Sequence, residues 1–352
     1  MRALVLSGGE GSRLRPITHT QAKQLIPIAN TPILFHALEA IRDAGITQVG
    51  IIVGATAAEV ESAVGDGSRW GLDVTYIPQT APLGLAHAVL TAEAFVRGEP
   101  FLMYLGDNVL LEGLAGFARN FEEHRPDAQI FLARVPEPER FGVAVLEGDR
   151  VTRLVEKPTE HISDLALVGV YLFDDSILDA AKAIQPSGRG ELEITDAIQY
   201  LIDTGKTVRA EMVSGWWKDT GKPEDLLEAN RIMLERQEPS IAGQVDEGST
   251  VTGNVVVRAG AKVLRSQVHG PVVIGEGTVV EDATLGPNVS VADGCRISGS
   301  HIEDSIVLSG CTIRDVRGLT GSILGKGVDV CHAGDGGMHR LIVGDQSRVE
   351  LD

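Results

Sequence analysis

Cysteine is scarce in this sequence: Cys295, Cys311 and Cys331 are its three, and no close CxxC pair is present. That argues against a disulfide-stapled scaffold or a cysteine-based zinc module and predicts buried thiols in a reducing cytoplasm. Long apolar runs are also missing, and the opening MRALVLSGG reads as a short strand without a small-residue cleavage pattern. Basic residues are outnumbered, 31 Lys and Arg against 49 Asp and Glu, for a formal net charge of −18. Such a surface repels nucleic acid and anionic membranes on average, so an anionic ligand must be met by a local group of cations. No Ser-His-Asp or Cys-His constellation for nucleophilic catalysis stands out either.

What is present is a chain of 352 residues, long enough for two domains, with 43% hydrophobic residues to build cores. In the first part, ALVLSG, QVGIIVG, DVTYIPQ, FLMYLGD and AQIFLARV read as buried strands. TPILFHALEAIRDAG between them places Leu34, Leu38 and Ile41 on one helical face, and GLAHAVLTAEAFV is similarly helix-like. This alternation predicts an α/β domain with a largely parallel sheet, which binds ligands at the carboxyl ends of its strands. Closely spaced strands follow from about Phe141 to Phe173, with a turn expected at Gly148-Asp149, before helices return up to PEDLLEANRIMLER.

Near Gln237-Glu238-Pro239-Ser240 the character changes. Apolar residues then recur at six-residue steps: Val251, Val257, Val263; Leu285, Val291, Ile297; Val307, Ile313, Leu319. One apolar residue per short side, with glycines at corners, predicts stacked triangular coils, a left-handed parallel β-helix whose register slips between runs. The expected division is 1–238 for chemistry and 239–352 for the coil, which is assigned to assembly and stability.

GGEGSRLRP follows the first strand directly. It lacks the Gly-Lys-Ser/Thr of a P-loop, and Leu14 breaks GxGxxG, yet Gly8, Gly9 and Gly11 let backbone N–H groups approach a phosphate. Arg13, Arg15 and Lys23 add three cations to an acidic protein. Taken alone, the loop reads equally as a glycine turn with solvated bases. Bringing two phosphorylated substrates together costs about 4 kcal/mol per like-charge pair at ~4 Å and an effective dielectric of 20, so such chemistry needs local cations. Two aspartates, Asp107 closing FLMYLGD and Asp219 in WWKDTG, stand at apolar-to-turn junctions. Each alone fits a turn or cap role; together they match the one or two carboxylates that Mg²⁺ favours.

With AKQLIPIANTP, the loop GGEGSRLRP resembles the signature of the sugar nucleotidyltransferases, specifically the glucose-1-phosphate thymidylyltransferase family in its long form. The resemblance is dense over about residues 1–235 and implies a Rossmann-like domain with a mostly parallel mixed sheet, followed by the β-helix. It implies nucleotide contacts from Leu6, Gly8, Gly9, Gly11, Ser12, Arg13, Lys23, Gln79, Gly84 and Asp107, with Gln79 and the Gly84 backbone reading the base. Sugar-phosphate contacts fall on Asn108, Gly142, Glu156, Lys157, Val168 and Arg189, and Mg²⁺ on Asp107 and Asp219. The residues assigned to catalysis are Arg13, Lys23, Asp107, Lys157 and Asp219. The string GELEITD is closer to thymidylyl- than to guanylyltransferases, while Leu83, His87 and Phe141 depart from the short enzymes.

The implied reaction is in-line attack of glucose 1-phosphate on the α-phosphorus of dTTP, releasing dTDP-glucose and pyrophosphate into deoxysugar synthesis. A homo-oligomer in the cytoplasm is expected. The alternatives are uridylyl transfer or another sugar, acyl transfer by the repeat through His301, His332 or His339, and a non-catalytic regulatory homologue. The last would have lost Arg13, Lys23, Asp107 or Asp219, and all four are present.

Overall fold

The computed structural model describes residues 1–148, 150–332 and 337–351. Asp149 of the expected turn, and 333–336 in the C-terminal CHAGDGGMHR stretch, lie outside the described residues. The chain divides into two compact units, Met1–Glu10 with Ile33–Asp219, and Gly11–Pro32 with Thr220–Asp352.

The first unit is built on strands β1 (Arg2–Ser7), β2 (Gln48–Val53), β3 (Asp73–Pro78), β4 (Phe101–Leu105), β5 (Asn108–Leu110), β6 (Ala128–Arg134), β7 (Gly142–Glu147), β8 (Arg150–Glu156), β9 (Leu165–Phe173), β10 (Val208–Met212) and β11 (Trp217–Asp219). Nine of them form one sheet in the order β3-β2-β1-β4-β9-β6-β10-β8-β7. The run β3-β2-β1-β4 is parallel, β9 runs antiparallel to β4 and β6, and β7 and β8 form an antiparallel hairpin, so the sheet is mixed. DVTYIPQ differs from its expectation as a buried strand: β3 is the sheet edge, and its residues are half-buried or exposed.

Helices α1 (Ile33–Asp43), α2 (Ala57–Val64), α3 (Leu85–Thr91), α4 (Glu93–Val96), α5 (Leu114–His124), α6 (Ser176–Ala183) and α7 (Ile194–Asp203) accompany this sheet. Alternation along the strands divides their side chains. Leu4, Leu6, Phe101 and Met103 pack with α3, α6 and α7, while Phe131 faces Phe117 of α5 at 4.2 Å between ring centres. In α1, Ile33, Leu34, Ala37, Leu38 and Ile41 are all buried, the face the sequence pattern draws, and Gly45 at φ 79 follows its end.

Among the described residues of the second unit, three stacks of parallel strands form the β-helix, two of seven strands and one of four. Its interior is three aliphatic columns: Val257-Ile274-Val291-Val307-Leu324, Val263-Val280-Ile297-Ile313-Val330 and Val251-Val268-Leu285-Ile302-Leu319. Pairing of Val255 with Val272 and of Val272 with Val289 gives a coil of 17 residues, one short of three hexapeptides. The step is 16 at Ser290–Ile306 and 19 at Ile323–Ile342, which is why the six-residue pattern slips. Cys295 and Cys311 are buried in the coil, their Sγ atoms donating to the carbonyls of Leu308 at 3.2 Å and Gly325 at 3.0 Å.

Two further pieces belong to this unit. Helix α8 (Pro223–Glu235) starts on a proline, with Asp225 accepting the Lys222 N–H at 3.0 Å. The Pro27–Ile28 and Thr31–Pro32 strands form a hairpin joined by two residues, Ala29 at φ 46 and Asn30 at φ 63. Two positive φ values suit a tight hairpin turn, but alanine in that region costs about 1–2 kcal/mol. Ala29 is fully buried against Leu234 of α8 and Val256 and Val273 of the coil, which hold it there.

Candidate active site

Where β1, β2 and β4 end, glycines replace side chains. A Cβ on Gly54 would stand 2.9 Å from the Gly8 carbonyl oxygen, and one on Gly106 would stand 2.9 Å from that of Leu6. The backbone at these carboxyl ends therefore packs too closely to admit side chains. The Gln79 side chain lies over it, with Oε1 3.5 Å from the Cβ position of Gly8. Its amide nitrogen is 2.9 Å from His87 Nδ1 and donates to the Gly84 carbonyl at 3.4 Å, so the expected base contacts Gln79 and Gly84 do meet. The sequence marks His87 only as a departure from the short enzymes; in the first turn of α3 its ring faces Gln79.

Gly84 has φ 105, and a Cβ there would lie 2.4 Å from the Leu192 carbonyl oxygen. Leu192 N–H donates to the Leu83 carbonyl at 2.8 Å, and Ala86 N–H to that of Leu192 at 3.0 Å. The segments APLGLA and GELEITD, a hundred residues apart in sequence, are thus zipped together by backbone bonds.

Asp107 follows β4 as expected. The two-stranded ribbon of β5 and β11 pairs Asn108 with Asp219, which brings both aspartates to one place. The buried Asn108 is fixed from both ends: its Nδ2 donates to Asp107 at 2.9 Å and its Oδ1 accepts the Trp217 indole N–H at 2.7 Å. Trp217 meets Phe141 edge-on at 5.5 Å. Among the described residues no group of three or more His, Cys, Asp or Glu side chains could hold a metal ion. A pair of carboxylates does fit a hard cation that completes its shell with phosphate and water oxygens.

Beside this ribbon, Glu156 closes β8. Thr195 Oγ1 donates to it at 3.2 Å, Arg189 lies 3.3 Å away and Lys157 3.4 Å. Burial pushes the Glu156 carboxyl above its ordinary value, Glu193 adds to the rise, and Lys157 and Arg189 oppose it. Arg189 is held more firmly by the buried Glu193, at 2.8 Å. The N-cap position of α7 is Glu193, and the Thr195 hydroxyl faces Glu156. A Cβ on Gly142 would collide with Thr195 Cγ2 at 2.5 Å and stand 3.2 Å from Glu156 Oε2. Val168 is buried in β9 where pairing with β6 jumps from Leu167 to Tyr171 and Gly169 takes φ 75, so the backbone leaves the ladder there. Gly142, Glu156, Lys157 and Arg189 converge, and Asn108 lies 3.1 Å from the Cβ position of Gly169.

Gly11, Ser12, Arg13 and Lys23 belong to the second unit. Gly11 has φ 62, and a Cβ there would stand 2.9 Å from Lys23 Cβ. The glycine-rich half of the motif and its lysine half therefore interlock, with Thr18 Oγ1 donating to the Gly11 carbonyl at 2.8 Å. Lys23 is buried, and Ser12 and Arg13 are exposed. Of the coil histidines, His301 is 2.9 Å from Glu303, and the His332 and His339 rings stand 5.8 Å apart.

A family model described as nucleotidyl transferase matches residues 2–236. The chain is 54% identical to a glucose-1-phosphate thymidylyltransferase of Streptomyces griseus over 353 residues, covering 100% of this chain and 99% of that protein. A protein of the same name from Streptomyces antibioticus is 53% identical, with 100% and 99% covered. Among solved structures, a Bacillus anthracis protein assigned as a glucose-1-phosphate thymidylyltransferase, in complex with a sucrose, superposes with a TM-score of 0.63 at 35% identity, covering 66% of this chain and 94% of that one.

Proposed function

The chain belongs to the nucleotidyl transferase family, and on that premise we propose that it transfers the thymidylyl group of dTTP to α-D-glucose 1-phosphate. The observation that carries this reading is the β5–β11 ribbon. It sets Asp219 opposite Asn108, beside Asp107, and its Trp217 meets Phe141, whose carbonyl accepts the N–H of Lys157 next to Glu156.

In this reading Gln79 presents an amide to the pyrimidine edge, with His87 and the Gly84 carbonyl fixing its orientation. The backbone of Leu6, Gly8, Gly9, Gly11 and Ser12 cradles the triphosphate, while Arg13 and Lys23 offset its charge. Glu156 accepts sugar hydroxyls, the Gly142 and Val168 backbones and Asn108 line the hexose, and Lys157 and Arg189 hold its phosphate. That phosphate is ionised at neutral pH, so the side chains orient the attacking oxygen and no general base is required. Asp107 and Asp219 are the ligands for Mg²⁺, which when bound supplies charge neutralisation at the α-phosphate and the pyrophosphate that departs. The chemistry is assigned to 1–238, and the coil, 239–352, to homo-oligomer assembly in the cytoplasm.

The test is pyrophosphate release measured over a panel of nucleoside triphosphates and sugar 1-phosphates, with and without Mg²⁺. The expected result is the highest kcat/KM for dTTP with glucose 1-phosphate. A preference for UTP would move the assignment to uridylyl transfer, and no release with any pair would overturn it.

A further inference from the structure

The segment with Arg13 and Lys23 forms one compact unit with the coil. Four contacts carry that grouping. Asn30 Nδ2 donates to the Val291 carbonyl of the coil at 2.7 Å. The buried Asn230 of α8 accepts the Ala29 N–H at 2.8 Å and donates to the Asn288 carbonyl at 3.4 Å, joining hairpin, helix and coil. Thr20 Oγ1 donates to Asp345 at 2.7 Å, and the other oxygen of Asp345 accepts the Lys326 N–H at 2.7 Å, pinning it to a coil corner. Pro16 lies against Gly344, whose Cβ position is 3.1 Å from the Pro16 carbonyl.

These contacts flank Lys23 on both sides in sequence, at Pro16 and Thr20 before it and at Ala29 and Asn30 after it. Ala29 keeps a left-handed conformation with its side chain sealed against Val256 and Val273. A backbone held in that state marks a surrounding that over-determines it. We propose that the β-helix, besides any part in assembly, is the platform that positions the phosphate loop, with Thr20, Asn30, Asn230 and Asp345 as positioning residues for Arg13 and Lys23. This rests on the proposed function, in which that loop binds the triphosphate. The coil then contributes no group that touches substrate, yet it tunes nucleotide binding. Sugar-phosphate binding, whose residues lie in the first unit, stays apart from it.

The test uses the full-length protein as wild type, Thr20→Val, Thr20→Ser, Asn30→Gly and the Thr20→Val/Asn30→Gly double variant, with Lys23→Ala as reference. Glycine keeps the turn at position 30 while removing the amide that reaches Val291. Separate KM values for the two substrates and Tm are read. The double variant should raise the triphosphate KM about tenfold and the sugar 1-phosphate KM by less than about twofold, with Tm moving by no more than about 3 °C. Thr20→Ser should restore wild-type behaviour. If the double variant folds poorly, each single variant should raise the triphosphate KM by about threefold. An unchanged triphosphate KM, an equal rise for both substrates, or losses that follow Tm would overturn the proposal. Should Lys23→Ala leave triphosphate KM and turnover unchanged, the reading of the loop fails and the inference falls with it. A damaging Lys23→Ala beside silent Thr20 and Asn30 variants sinks the platform alone.

Discussion

In the coil, positive φ values recur at one corner of successive turns: Arg265 at 47°, Asp282 at 50°, Gly299 at 56° and Asp315 at 58°. Each follows a stacked strand and lies beside the same corner of a neighbouring turn. In the sheet unit Lys157 also has a positive φ, 41°, but no neighbour repeats it. Its N–H is caught by the Phe141 carbonyl at 2.9 Å, and its side chain turns to Glu156. The same backbone state thus repeats along the coil but stands singly at Lys157, next to Glu156. Repetition spreads the cost of a strained corner over the stack, whereas a singular one persists only if its surroundings enforce it.

If the sheet unit carries the chemistry, Asp107→Asn and Asp219→Asn should break it most severely. Turnover should fall about 10²–10³-fold in each, the size typical of removing one designed charge contact, with little change in Tm. Pyrophosphate release titrated against Mg²⁺ checks this, and near-normal activity in either variant removes that residue from the metal pair. The opposite pattern is expected in the coil. Ile297, packed between Val280 and Ile313, should cost about 2–5 kcal/mol of stability when cut to alanine. Chemical denaturation measures that loss. The sugar 1-phosphate KM of the folded fraction should stay at its wild-type value, and a rise would blur the separation.

Gln79→Ala sharpens the comparison within the sheet unit. Losing a paired amide should weaken triphosphate binding by about 1–3 kcal/mol and leave glucose 1-phosphate binding nearly unchanged. An effect confined to the sugar phosphate would mean that the base pocket lies elsewhere.

Local patterns were legible in the sequence where one segment suffices to make them. The apolar runs of β1, β2, β4 and β6, the buried face of α1 and the glycine corners of the coil all follow from period and propensity. The signature loop, Asp107 and Asp219 stood out because their residue types suit phosphate and a cation, and it was the resemblance that gave them those roles. The pairing that sets Asp219 opposite Asn108 was not legible, since nothing in spacing brings together residues separated by more than a hundred positions. For the same reason the Gly84–Leu192 zipper and the seat of Ala29 on Val256 and Val273 were hidden. The edge position of β3 was missed because an apolar run does not reveal how many neighbours its strand has.

The smallest effect separates the two regions by the sign of a pH slope. Burial raises the Glu156 carboxyl, while its hydrogen bond to Arg265 lowers that of Asp282 on the coil surface. For Glu156 the folded state holds its proton to higher pH than the unfolded chain. Its contribution is therefore fully present below the unfolded value and is lost as pH rises through the raised folded one. Asp282 behaves in reverse: its contribution is present above the unfolded value and is lost as pH falls through the lowered folded one. Melting temperatures of wild type, Glu156→Gln and Asp282→Asn, measured from pH 7 downward, isolate each group by difference. Wild type should gain on Glu156→Gln as pH falls, and lose its advantage over Asp282→Asn. Each change should be only about a degree or two, because Asp282 is exposed and Arg189 and Lys157 offset part of the burial of Glu156. Parallel slopes would mean that Glu156 is solvated like a coil acid, and the sugar contact proposed for it would have to be reassigned.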